Sequence, residues 1–348
     1  MDTIDFIYNE VRKFNKSILI DGSFGNADFA TLLRRYPKIA LYINSYKCIP
    51  QRGLFGGSKT AIIFGYKNQN VKYEDIYPCN SVNEMENVLS YNLKKYNTHI
   101  AYVVPNQSLM QELTKRIPTG SLSAKYPFFK GFSTLNGGVL PFAKVAYFYI
   151  EVQYHVNPSE LREMERVIEP EINRVASMLF DPLMPKEAKV LLAHNYLCHI
   201  ATYDPSYLNK SITFNPWSHS AYGCLIKHVC VCHGFSEAFK RILNRGGVTC
   251  EIITGQIKGT TTQHAWNIVK IDDDYYHVDV TFDDQSEIVF NYFMKTDEEM
   301  KRDRTWDTSS YPKCNGRKNI MMLARSYINL NKSKLILRGV KIPMLKTL

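Results

Sequence analysis

The chain has 348 residues, 45% of them hydrophobic and 22% charged, with a formal net charge of +10 and a pI near 9.0. That length predicts about two domains, and the composition is that of a globular protein, which excludes a disordered or fibrous chain. The positive excess favours acidic partners, but Lys and Arg are scattered, with Lys115-Arg116 and Lys301 to Arg304 among the densest spots, which argues against a nucleic-acid binder.

No apolar run approaches the ~20 residues of a membrane span, so no membrane partner is expected. Met1 to Asp5 lacks the charged-then-apolar layout of a signal peptide. The expectation is a cytoplasmic protein whose eight cysteines, from Cys48 to Cys314, remain free thiols. The first ~115 residues alternate helix-like and strand-like segments, as in an α/β unit. Asp2 to Phe14 predicts a helix, Ser17 to Ile20 a strand, and Asn26 to Arg35 a second helix. Ile39 to Ile43 and Thr60 to Phe64 predict buried strands, Val82 to Lys95 an amphipathic helix and His99 to Val104 another strand. The stretch Gly53 to Thr60 is one substitution from a phosphate-cradling loop. Ser58 replaces the glycine before Lys59, and a strand rather than a helix follows, so nucleotide binding is not expected there.

Residues 117–142 are rich in Pro, Gly and Ser, with Pro118, Gly120, Pro127, Gly131, Gly137, Gly138 and Pro141. Such punctuation predicts an interdomain linker. A strand from Lys144 to Tyr154 follows, then a long helix capped by Ser159, with Pro170 expected to kink or divide it. A second helix begins near Pro185 and runs to about Ala201.

Chemistry concentrates after Ala221. Phe235, Ala238, Phe239, Ile242 and Leu243 fall on one helical face, and Gly246-Gly247 supplies a stop. Cys232 therefore stands at or just before a helix N-terminus, where unpaired backbone N–H groups and the helix dipole favour a thiolate and offer an oxyanion donor. Gln263 to Ile271 and Asp274 to Thr281 predict a hairpin turning at Asp272-Asp273. If Ile271 pairs with Asp274, His264 lies opposite Thr281 and Trp266 opposite Asp279. His264 and Asp279 are then diagonal neighbours on one face, roughly 7–8 Å apart between backbones, and a one-residue slip would separate them. Thiol, base and orienting carboxylate are the parts of covalent catalysis, with Cys232 as nucleophile, His264 as base and Asp279 as orienter. A zinc site from Cys224, His228, Cys230, Cys232 and His233 is the competing reading, but the spacing fits no paired-ligand pattern. No metal and no cofactor are expected. Trp266 is expected in the core beside the site, while Tyr222 or Trp217 is a candidate for the second oxyanion or substrate-contacting donor.

Val231-Cys232-His233-Gly234-Phe235, His264-Ala265-Trp266-Asn267 and Tyr276-His277-Val278-Asp279-Val280-Thr281 resemble the three signature blocks of the transglutaminase-like superfamily, particularly its bacterial members. His194 to Leu197, Tyr203-Asp204, Ala221 to Gly223, and Tyr292-Phe293 through Met300 resemble the flanking segments, so that roughly Val145 to Cys314 is covered. Two positions depart from the pattern. Asn195 stands where an aspartate is common, and Arg304-Thr305-Trp306 lacks a nearby histidine. The resemblance implies an α+β, papain-like core in which the cysteine helix packs on an antiparallel sheet, preceded by a separate α/β domain. It also implies an acyl-enzyme mechanism. The expected organisation is an N-terminal α/β domain over 1–116, a candidate for substrate recognition, then a linker over 117–142. A catalytic domain over 143–325 and a C-terminal strand or tail over 326–348 complete it. The expected activity is that of a cysteine hydrolase or acyltransferase on a peptide or protein substrate, of protease or deamidase type. Glutamine-directed cross-linking is the alternative, and a non-catalytic binding or scaffold module is the alternative of another class.

Overall fold

A computed structural model describes residues 2–52, 57–116, 122, 125–140, 145–207 and 215–346. The chain divides into two units, Met1–Pro158 and Ser159–Leu348. Among the described residues no helix is long and apolar enough to cross a membrane.

The first unit opens with helix α1 (Thr3–Arg12), whose N-terminus is capped by the Asp2 carboxylate accepting from the Asp5 N–H at 2.8 Å. Strands β1 (Ser17–Asp21), β2 (Ile43–Arg52) and β3 (Ser58–Tyr66) form an antiparallel sheet in the order β1-β3-β2, with helix α2 (Asn26–Arg35) between the first two in sequence. The strand expected over Ile39 to Ile43 is instead a 3-10 turn, Pro37–Leu41, with only Ile43 joining β2. Pro37 sets the turn's entry angle, and the buried Ile39 and Leu41 fill the same core that a strand would have filled. Residues 53–56 of the phosphate-loop look-alike lie outside the described residues. Lys59 stands on β3 opposite Asp21, 3.5 Å from its carboxylate, and opens no helix.

A second sheet runs in the order β4-β5-β7-β6, from β4 (Ile76–Pro78), β5 (His99–Val104), β6 (Phe129–Leu140) and β7 (Val145–Tyr154). Helices α3 (Val82–Lys94) and α4 (Ser108–Arg116) complete the unit. Strand β5 is a continuous buried run after His99 because both its faces are covered. Ala101 and Val103 face one core, and Ile100, Tyr102 and Val104 face the core that includes the α3 residues Met85 and Leu89. This sheet overturns part of the expected linker: β6 lies within 117–142, and β7 pairs with β5 of the first unit. The glycines that suggested a loop are there because rings cover them. A Cβ on Gly137 would sit 2.8 Å from Phe148 of β7, and one on Gly138 would sit 2.5 Å from the Tyr147 hydroxyl. Residues 117–121, 123–124 and 141–142 of that stretch lie outside the described residues.

The second unit starts with helix α5 (Pro158–Leu179), which continues through Pro170 and buries Ile168, Ile172, Val175 and Leu179. Helix α6 (Lys186–Ile200) is buried from Ala188 to Leu197 and forms the centre of the core. A two-stranded parallel ladder, β8 (Thr202–Tyr203) with β9 (Val229–Cys230), leads into helix α7 (Cys232–Arg245). Helix α7 packs Phe235, Ala238, Phe239, Ile242 and Leu243 into that core. The sheet of this unit has the order β12-β11-β10-β13, from β10 (Cys250–Ile257), β11 (Gln263–Ile271), β12 (Asp274–Val278) and β13 (Arg304–Thr305). Short helices α8 (Val280–Asp283) and α9 (Asp297–Met300) follow β12. The segment expected as a C-terminal strand or tail is helical: α10 (Ile320–Leu330), α11 (Lys332–Leu337) and α12 (Ile342–Lys346). Ile328, Leu335, Val340, Met344 and Leu345 are buried in the same core as α6, which an isolated tail strand could not achieve.

Candidate active site

Cys232 is the first residue of α7, and Val231, the preceding cap residue, makes no side-chain capping bond. The first intrahelical bond is Phe235 N–H to Val231 O, so the N–H groups at Cys232, His233 and Gly234 lie ahead of the ladder. Gly234 permits this placement: a Cβ there would lie 2.5 Å from the Ser218 carbonyl oxygen and 2.7 Å from Cys230 Cβ. The loop packed against this turn is tied down by two groups. The His233 Nδ1–H donates to the His219 carbonyl at 2.9 Å, and burial pushes the His233 pKa down to about 4. Asp204, itself buried, accepts from the Ser206 N–H at 2.9 Å, from the Ser218 hydroxyl and from Asn215 Nδ2 at 3.4 Å. Burial opposes its ionisation, but these hydrogen bonds outweigh burial and hold the pKa low.

The hairpin forms in the predicted register, Ile271 opposite Asp274 and Asn267 opposite Val278. Its ladder ends there. Asp279 leaves the strand to cap α8, its Oδ1 accepting the Phe282 N–H at 3.3 Å, so Asp279 is not paired opposite Trp266. The turn brings Oδ2 to 2.7 Å from His264 Nε2, with both side chains buried. With Nε2–H donating to the carboxylate, Nδ1 is left for another partner, and Cys232 lies close enough to the ring to raise its proton affinity. Burial disfavours the imidazolium, but the Asp279 charge and hydrogen bond, then Cys232, overcome it and raise the His264 pKa to about 9.

Trp266 is fully buried and stacks on His264, ring centroids 5.7 Å apart at 16°. Its indole N–H donates to His277 Nδ1 at 3.0 Å. Because Trp can only donate, the His277 proton resides on Nε2 and is given to Asp297 Oδ1 at 2.8 Å. His277, Asp297 and Cys314 have their polar atoms within 4.8 Å of one another, the one such trio among the described residues. The fixed tautomer leaves no imidazole lone pair toward the other two, so the trio is a hydrogen-bond relay behind Trp266, not a metal site. The cysteines and histidines from Cys224 to His233 form no comparable cluster among the described residues.

Tyr222 leads into a short π-helical turn, Gly223–Lys227, with Lys227 Nζ 5.7 Å from its ring, and Trp217 lies half-buried in the turn Pro216–His219. The phenols that sense Cys232 are Tyr203 and Tyr207. Burial first, then the Cys232 charge, pushes the Tyr207 pKa up to about 12, and Tyr203 shifts in the same direction for the same reasons. Sequence reasoning did not single out this pair for such a role. Asn195, the departure beside His194, donates to the Met344 carbonyl at 3.2 Å, while His194 Nε2 meets Asp283 Oδ2 at 3.1 Å within the helix that Asp279 caps. The second departure, Arg304, is 1% exposed and donates from Nη2 to Asp279 Oδ2 at 3.2 Å. Only its position beside Trp306 in a motif lacking the usual histidine marked it beforehand.

Among solved structures the chain is similar to a TGase, at 12% identity and a TM-score of 0.31 over 93% of this chain and 96% of that one. It is also similar to a candidate cysteine protease from Cytophaga hutchinsonii, at 15% identity and a TM-score of 0.25 over 39% and 52% of the two chains. A candidate protease from Parabacteroides distasonis matches at 9% identity and a TM-score of 0.24 over 79% and 64%. No curated protein matches significantly. Residues 174–280, which hold Cys232, His264 and Asp279, match the family model of the transglutaminase-like superfamily, so the second unit of this chain contains a transglutaminase-like core.

Proposed function

We propose that the chain is a cysteine-dependent amide-bond enzyme acting on peptide or protein substrates through a thioester acyl-enzyme that water resolves. The observation that carries the reading is the buried His264–Asp279 contact at 2.7 Å, with Cys232, the first residue of α7, near enough to perturb the same imidazole. In this mechanism the Cys232 thiolate attacks the substrate carbonyl carbon, and the oxyanion is received by backbone N–H groups at the start of α7. His264, protonated by the thiol, returns that proton to the departing amine as the C–N bond breaks. The thioester remains on Cys232. Water then attacks it with His264 accepting a proton, and the carboxylate leaves as the thiol is restored. Asp279 holds the imidazole with Nδ1 toward sulfur throughout. Trp266 and Phe282, whose rings lie against His264, keep bulk water from the base.

Within the same proposal the first unit selects the substrate, and the free thiols suit a reducing cytoplasm. The test is intact-mass analysis of candidate proteins incubated with the wild type and with Cys232→Ala. Backbone cleavage splits the chain, deamidation of a glutamine adds about 1 Da, and cross-linking to a lysine loses ammonia (about 17 Da), each a direct result of the acyl-transfer chemistry. A change that persists with Cys232→Ala sinks the reading. An unreactive Cys232 in the wild type would favour the binding-module alternative.

A further inference from the structure

The oxygen of Asp279 that meets His264 serves a second partner. Oδ2 accepts from His264 Nε2 at 2.7 Å and from Arg304 Nη2 at 3.2 Å, and both charged side chains of the Arg304–Asp279 pair are 1% exposed. A guanidinium removed from water is costly unless its surroundings compensate it, and here all its nitrogens but Nε, which is buried without a partner among the described residues, are engaged. Its plane lies 4.0 Å from the Phe282 ring centroid and 4.7 Å from that of Tyr292. Nη1 reaches Asp303 Oδ1 at 3.2 Å, and the Tyr292 hydroxyl donates to Asp303 Oδ2 at 2.5 Å. Strand β13 brings Arg304 into place by pairing with β10, where Gly255 stands opposite His264. A Cβ on Gly255 would lie 2.2 Å from the Thr305 carbonyl oxygen and 2.8 Å from the Trp266 ring. The strand can therefore close beside the site only because that position has no side chain.

We infer that Arg304 is a positioning residue that sets the proton affinity of the His264–Cys232 pair by sharing the carboxylate oxygen of Asp279. The inference rests on the reading of Cys232 as nucleophile and His264 as base. The charged and titratable groups around the imidazole are Cys232 from α7, Asp279 at the start of α8, and Arg304 from β13, with Asp303 on the far side of Arg304. Gly255 on β10 contributes none, the neighbouring Trp266 and Phe282 rings are uncharged, and Asp283 lies behind Asp279 on α8 in contact with His194. With one proton shared between thiol and imidazole, Cys232, His264, Asp279, Arg304 and the Asp303 carboxylate on its outer side sum to −1. Without the guanidinium the sum is −2, and each protonation of the pair becomes easier. Arg304 thus opposes protonation of the pair and draws the His264 titration to lower pH, so that the imidazole can give up its proton closer to neutrality. The Nη2 contact also holds Asp279 against rotation.

The experiment uses the full chain with Arg304→Met and Arg304→Lys. Circular dichroism reports folding, NMR of labelled histidine follows the His264 titration, and iodoacetamide alkylation of Cys232 is measured against pH. Arg304→Met should move the imidazole titration and the alkylation profile to higher pH by roughly 1–3 pH units, the range expected for one charge within ~4–6 Å. Arg304→Lys, which keeps the charge, should return both toward the wild type. A role confined to packing would lower stability without moving either profile. Should Arg304→Met fail to fold, Arg304→Gln keeps N–H donors toward Asp279 without the charge and is read in the same way. The inference is overturned if a folded neutral variant titrates at the wild-type pH, or if lysine behaves like methionine. If wild-type Cys232 is no more reactive than the other thiols, the nucleophile assignment fails by itself, and the His264 titration still decides the effect of Arg304.

Discussion

Replacing Asp279 by asparagine keeps the shape of the side chain and removes the charge that raises the His264 pKa. The rise from 6.5 to about 9 in the folded protein corresponds to about 3 kcal/mol of preference for the imidazolium. Its sign follows from linkage. A histidine whose folded pKa is raised contributes stability that is fully present below pH 6.5 and is lost as pH rises through about 9. The stability difference between wild type and Asp279→Asn should therefore shrink by about 3 kcal/mol across that window. A constant remainder should persist, because the variant also leaves the buried Arg304 facing a neutral amide. With the carboxylate gone, burial acts on the imidazole unopposed except by Cys232, and His264 should titrate at or below 6.5. Urea unfolding at several pH values measures the first quantity and histidine NMR the second. A gap that stays constant from pH 6.5 to 9, with an unmoved His264 titration, would refute the claim that Asp279 controls the proton on this ring.

Other perturbations probe separate parts of the structure. Cys232→Ser should abolish turnover and iodoacetamide labelling at this position while leaving the melting temperature near that of the wild type, since serine has almost the shape of the half-buried thiol it replaces. Turnover that survived would exclude the nucleophile. Gly234→Ala should destabilise by about 1–3 kcal/mol through overpacking against Ser218 and Cys230, read by denaturant unfolding, and an unchanged midpoint would mean that the loop can give way. Trp266→Phe should cost about 1–3 kcal/mol by leaving His277 Nδ1 buried without its donor, and a neutral result in the same assay would show that the relay is dispensable. A fragment beginning at Ser159 should stay folded with a reactive Cys232 and lose selectivity toward the natural substrate. Insolubility of that fragment would count against the first unit as a separable selector.

Local periodicity was enough to place Cys232 at the opening of a helix and to turn the hairpin between Ile271 and Asp274. Both follow from contacts a few residues apart, and a period of 2 or 3.6 records them directly. The nearness of His264 and Asp279 was legible for the same reason, although the route was not. Asp279 reaches the imidazole by leaving the strand as a helix cap rather than by cross-strand pairing. Composition misled at residues 129–140, because glycine ordinarily marks loops and only the strand lying opposite shows that Phe148 and Tyr147 occupy the space above Gly137 and Gly138. The last ~20 residues looked like a tail because their apolar side chains find a core only once α6 is in place. Arg304 was the least legible of all. A lone arginine in sequence is a surface residue by default, and its burial depends on a carboxylate 25 positions earlier, two rings and a glycine opposite His264. The sequence by itself determined the reactive residue types and the local elements that carry them. The tertiary structure alone decided which charges share one buried site, because desolvation and Coulomb energies depend on neighbours that chain order does not reveal.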